Sequence, residues 1–138
     1  MTMRALATLC VLIALGVAPA QAGYETELIS VYDGDTFKVR VEIWPSVFIE
    51  TSIRVRGIDT PEIRGKCRQE KRMALAAKRL AEKLLKDGFQ VERPGHGKYA
   101  RRFLGDVRLA NGRSYAEVLI GNGYARRYDG GAREGWCQ

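Results

Sequence analysis

Histidine occurs once in these 138 residues and cysteine only three times. A structural zinc site needs four nitrogen or sulfur ligands, and His96, Cys67 and Cys137 alone do not supply them. Internal repeats and low-complexity segments are absent, and a chain this short has room for one domain and little else. Long apolar runs are scarce too. The one over residues 5–18 falls short of a comfortable bilayer span. It follows Arg4 and precedes Ala20-Gln21-Ala22, small residues of the kind a signal peptidase requires. That combination reads as a secretory signal over residues 1–22 rather than as a membrane anchor. Cys10 lacks the small-residue context of a lipidation site. The expectation is an exported protein, periplasmic or secreted. It would have one domain over residues 23–138 and no stable membrane association after processing.

What remains is basic. Removing residues 1–22 takes away Arg4 and no acid, so the 23 Lys and Arg become 22 against 16 Asp and Glu, a net of +6. A surplus of that sign favours polyanionic partners, because neutralised phosphates release condensed counterions. Cys67 and Cys137 are the two cysteines left, so only one intramolecular pairing exists, and an exported compartment permits it. Closing so long a loop contributes on the order of 4 kcal/mol if unstrained. It would tether the C-terminal tail to the start of the main helix.

Alternation over residues 37–43 puts apolar side chains on one side and charged ones on the other, the pattern of a half-buried strand. Residues 27–32 are its expected partner across the turn Asp33-Gly34-Asp35. Trp44-Pro45-Ser46 is expected to break the ladder, with a third strand resuming at Ile53 and ending before Asp59-Thr60-Pro61-Glu62. From residue 68 to 86 the period becomes helical, with Met73, Ala77, Leu80 and Leu84 on the apolar stripe and Gly88 as the stop. Residues 89–92 and 103–109 predict two more strands, Asn111-Gly112 a tight turn, and 115–120 a short second helix. The order predicts an α+β domain: a five-stranded OB-type barrel with one long and one short covering helix.

Asp35 and Asp59 both lie where strands end. Paired carboxylates with a backbone carbonyl and water suit a hard divalent cation such as calcium. Glu62 follows Asp59 by a proline turn, so it could stand beside such an ion and take a proton from an attacking water, although each acid taken alone fits a plain turn residue better. Asp33 is assigned to the turn. Arg54 sits just upstream of the Asp59 corner, and Arg101 follows an expected glycine-rich loop at Gly95-His96-Gly97. Planar guanidinium groups grip two phosphate oxygens at once, which matters most as charge grows on phosphorus.

Three segments occur in order: Asp33-Gly34-Asp35-Thr36-Phe37-Lys38-Val39, Ile53-Arg54-Val55-Arg56-Gly57-Ile58-Asp59-Thr60-Pro61-Glu62, and Lys98-Tyr99-Ala100-Arg101. Together they closely resemble the staphylococcal-nuclease family, over about residues 28–128. The resemblance implies an OB-fold nuclease that uses calcium to hydrolyse DNA and RNA, typically leaving 3′-phosphate ends. It implies Asp35, Asp59 and the carbonyl of Thr60 as calcium ligands and Glu62 as the candidate general base. Arg54 and Arg101 would clamp the scissile phosphate, while Lys98 and Tyr99 would bind a neighbouring terminal phosphate. Tyr128 is the nearest match to a tyrosine that stacks on the nucleotide, with Tyr124 competing.

The chain also departs from the family pattern. Gly97 and Ala100 replace the usual Asp and Gly around Lys-Tyr, and the segment after Glu62 is short. The last helix is missing, so a Cys67–Cys137 bridge is expected to secure the tail instead. Nothing demands more than a monomer. The rival reading is a non-catalytic, single-stranded nucleic-acid-binding OB barrel. Paired acids weigh against it, since without metal they repel phosphate.

Overall fold

The computed structural model describes residues 23–99 and 101–138; the signal reading of residues 1–22 lies outside them. The chain runs β1 (Tyr24–Val31), β2 (Thr36–Trp44), β3 (Val47–Val55), β4 (Ile58–Asp59), α1 (Arg68–Leu85), β5 (Phe89–His96), β6 (Arg102–Leu109), α2 (Tyr115–Gly121) and β7 (Arg126–Arg127). Five strands close into a barrel in the order β1-β2-β3-β6-β5, with β5 returning to β1. All neighbours are antiparallel except β3 and β6, which run parallel because α1 and β5 intervene. This is the expected OB-type α+β architecture.

The core forms where alternation points inward. Phe37, Val39, Ile53, Val55, Phe89 and Val91 are all nearly inaccessible, and Phe37 meets Phe89 and Tyr115 edge to face. Helix α1 packs on this barrel with the predicted Ala77 at the centre of its buried face and Leu80 and Leu84 along the edge of the core. Ala74, Ala77, Ala81 and Leu85 are buried, while Met73, Leu80 and Leu84 are only half covered. Alanines let the helix backbone approach the barrel closely, which larger side chains would prevent.

Three further readings need correction. Trp44-Pro45-Ser46 does not end the ladder. Pro45 and Ser46 are the two-residue loop of a long β2–β3 hairpin, with Trp44 opposite Val47 and Ser46 at φ 64°. Gly95-His96 is strand rather than loop, paired with Leu104 and Phe103 beyond a bulge where Arg93 takes φ 47°. Asp59 does not leave sheet structure, because β4 pairs with β7 in a small second sheet. That pairing carries residues 126–137 to the mouth of the barrel.

Candidate active site

Asp33-Gly34-Asp35 turns the chain between β1 and β2. Asp35 N–H donates to the Asp33 carboxylate at 3.1 Å, and Asp33 N–H donates to the Thr36 carbonyl at 3.2 Å. Tyr115, fully buried on α2, donates its hydroxyl to the Gly34 carbonyl at 2.6 Å and fixes the turn from behind. A Cβ at position 34 would stand 3.0–3.1 Å from Thr60 and Ala77, so glycine lets this turn close on both.

The expected acids converge through Arg54. Its Nη1 donates to Asp35 Oδ1 at 2.6 Å, and its Nη2 lies 3.9 Å from Asp59 Oδ1. Asp35 and Asp59 are 1% and 4% exposed, so both charges are nearly shut off from water. Asp33 is as deeply buried at 4%, which makes it more than a turn residue. Burial first, and then the Asp35 charge, push the Asp33 carboxyl up to about 7. Burial also raises Asp35, against the opposing pull of Arg54. The Thr60 hydroxyl faces this cluster, contributing a small stabilising pull on Asp35, yet reaches no partner in full hydrogen-bonding geometry.

Two contacts arrive from the C-terminal tail and were not anticipated. Arg133 donates from Nε to Asp59 Oδ1 at 2.6 Å and from Nη1 to Glu62 Oε1 at 2.7 Å. Its Nη2 also pairs with Asp59. Burial works against this charge, but its hydrogen bonds to Glu62 and Asp59 prevail and raise the guanidinium above its ordinary value. Trp136, itself buried, donates its indole N–H to Asp59 Oδ2 at 3.1 Å and is covered by the Arg126 guanidinium 3.8 Å from its ring centre. A Cys67–Cys137 disulfide, joining residues 70 apart, ties this tail to the start of α1. The expected bridge is present, and the path it imposes is what delivers Arg133 and Trp136. Glu70 completes the corner by accepting from Lys66 N–H at 2.8 Å and Glu62 N–H at 3.3 Å.

A donor set made of buried carboxylates, with an unpartnered threonine hydroxyl among them, fits a hard cation. Among the described residues, no three of these acids bring their oxygens within 4.8 Å of one another; Arg54 bridges Asp35 and Asp59, and Arg133 bridges Asp59 and Glu62. The one such cluster is Cys67, Glu70 and Cys137, and its sulfurs are consumed in the disulfide.

The remaining expected residues surround the acids unevenly. Tyr128 lines a cleft of about 390 Å³ together with Asp59, Arg126, Arg127 and Glu134. Its own N–H is held by the Gly57 carbonyl at 2.9 Å. Arg101, Lys98 and Tyr99 are exposed at the β5–β6 loop. The Arg101 carbonyl accepts from Thr51 Oγ1 at 3.2 Å, three positions before Arg54 on β3, or roughly 10 Å along the strand. Arg101 itself takes φ 64°, and the Arg102 guanidinium lies 4.8 Å from the Tyr99 ring centre. Arg54 is in contact with the acids, whereas among the described residues Arg101 makes no ion pair with them.

No relative among curated proteins matches the chain. Residues 52–134 do match the family described as staphylococcal nuclease homologue, which takes in Arg54, Asp59, Glu62, Arg101 and Arg133 but begins after Asp35. That span is more than half of the sequence, so the chain belongs to this family, a nuclease-type domain that acts on nucleic acid.

Proposed function

We propose that the protein is a calcium-dependent nuclease that hydrolyses the phosphodiester backbone of DNA or RNA, working as an exported monomer. The observation that carries this reading is Arg54, held between two buried aspartates at the end of the barrel. A guanidinium so placed has a fixed direction and few water molecules to compete with, the condition under which charge stabilisation in a transition state is strongest. Asp35, Asp59 and the Thr60 carbonyl would hold the cation, which when bound supplies positive charge beside a non-bridging phosphate oxygen.

The chain's own groups do the rest. Glu62 accepts the proton of the attacking water as that oxygen forms its bond to phosphorus. On the far side the bond to the 5′ oxygen breaks, and this oxygen takes a proton from solvent. The ends left are a 3′ phosphate and a 5′ hydroxyl. Arg54 stabilises the crowded phosphorus centre, and Arg101 closes on the phosphate from the β5–β6 loop when substrate is present. Tyr128 lies along the same cleft to stack on a base, while Lys98 and Tyr99 take a neighbouring phosphate.

Digestion of plasmid DNA and of RNA by the mature protein tests this. Cleavage is expected with calcium, and none with EDTA or in Glu62→Gln. Binding without cleavage under every condition would favour the non-catalytic barrel. Cleavage that persists in EDTA would sink the calcium assignment.

A further inference from the structure

Arg133 makes its two short contacts to a proposed cation ligand, Asp59, and to the proposed base, Glu62. A guanidinium on Asp59 Oδ1 and a divalent cation on the same carboxylate repel each other at close range, so each weakens the other's hold. We propose that Arg133 is a built-in counter-ion of the metal centre: it occupies Asp59 and Glu62 in the cation-free protein, competes with the incoming cation, and so sets its affinity. This rests on the calcium reading above and goes beyond it, because it assigns a role to the tail.

The tail is built for that role. Trp136 grips Asp59 through Oδ2, leaving Oδ1 as the oxygen on which Arg133 and a cation compete. Trp136 is in turn held by Arg126, whose Nη1 also donates to the Gly135 carbonyl at 2.9 Å, and Cys137 is bonded to Cys67. With both sides of position 133 anchored, the guanidinium stays close after displacement and returns when the cation leaves. A side chain 40% exposed has open space to swing into, and a cleft of about 310 Å³ lies beside it between Glu62 and Trp136. Glu62 is released by the same displacement. The proposed base thus becomes free only in the cation-loaded protein.

The test is calorimetric titration of the mature protein with calcium chloride alone, without nucleic acid, for wild type, Arg133→Gln and Arg133→Lys. Arg133→Gln is expected to bind calcium about tenfold more tightly or better, on the scale by which a neighbouring opposite charge alters a carboxylate's hold on a proton. Arg133→Lys, which keeps the charge but not the fork, is expected to fall between the two. In wild type, the nuclear magnetic resonance of the Arg133 Nε–H should shift along the calcium titration with the same midpoint as the heat signal. A variant that binds no tighter than wild type, or an Arg133 resonance that stays still while calcium saturates the protein, overturns the counter-ion role and leaves the calcium reading standing. Absence of calcium uptake by every variant overturns both.

Discussion

Two groups of acids in this domain are chemically alike and physically opposite. On the β5–β6 face, Glu92 is itself buried but is gripped by both Nε and Nη2 of Arg108, at 2.6 and 2.9 Å. Asp106 nearby is paired with Arg56 and Arg93. Each of these acids has a dedicated cation at the water's edge, and hydrogen bonding to Arg108 lowers the Glu92 carboxyl from its ordinary value. At the mouth of the barrel, Asp33, Asp35 and Asp59 are all buried, and among the described residues arginines pair with Asp35 and Asp59 but none with Asp33. There burial outweighs pairing, and the carboxyls of Asp33 and Asp35 rise. Charge type alone does not separate the two groups; what does is whether each buried acid has an arginine of its own.

Reducing the Cys67–Cys137 bridge is the largest perturbation of this contrast. Releasing a closed loop of 70 residues is expected to lower stability by about 4 kcal/mol. Denaturant unfolding with and without reductant measures the loss. Hydrogen exchange should show the mouth loosening first while the Glu92–Arg108 pair keeps its protection. Thiol titration of the unreduced protein should find no free cysteine among Cys67 and Cys137.

Arginines from the two regions should separate next. Arg54→Ala is expected to cut turnover by at least ~10²-fold with the fold intact, as when a preorganised charge donor is lost. Arg108→Ala should leave turnover unchanged. Equal turnover in the two variants would erase the distinction. Rates on one DNA substrate at saturating calcium decide it.

The pH dependence of stability should carry opposite signs. The Asp33 carboxyl stands at about 7 in the folded, cation-free protein against 3.8 for an ordinary one. Its contribution is therefore complete below about pH 4 and is lost as pH rises through about 7. Glu92 sits below its ordinary 4.5, so its contribution is present above that value and is lost as pH falls through the lower one. Unfolding midpoints of Asp33→Asn and Glu92→Gln, compared with wild type across pH in EDTA, should flatten opposite ends of the profile. Glu92→Gln is the smallest effect expected, a slight drop in midpoint at neutral pH, since its Arg108 partner is exposed and water screens the pair.

Much of this was legible in the residues. Alternation gave β2, and the helical period placed α1 to within a residue at either end. The three motif segments named Asp35, Arg54 and Asp59, which do meet. Arg54 could be placed because it lies only five residues before Asp59, a local relation. The α1 stripe matches the buried face at Ala77 and only in part at Met73, Leu80 and Leu84, because hydropathy gives the alanines at 74 and 81 little weight. Yet a helix lying close on a barrel buries its small side chains. Asp33 was undervalued for a similar reason: a turn motif looks the same whether solvent or α2 lies behind it.

The sequence by itself determined the strand and helix alternation, the closing disulfide and the motif acids, since each depends on period, count or short spacing. Only the tertiary structure decided that Arg133 and Trp136 belong to the same site, 74 and 77 residues away from Asp59. No pattern along the chain encodes that meeting. It arises because β7 pairs with β4 and the disulfide returns the tail across the barrel mouth, and buried carboxylates attract whatever donors that path brings within reach.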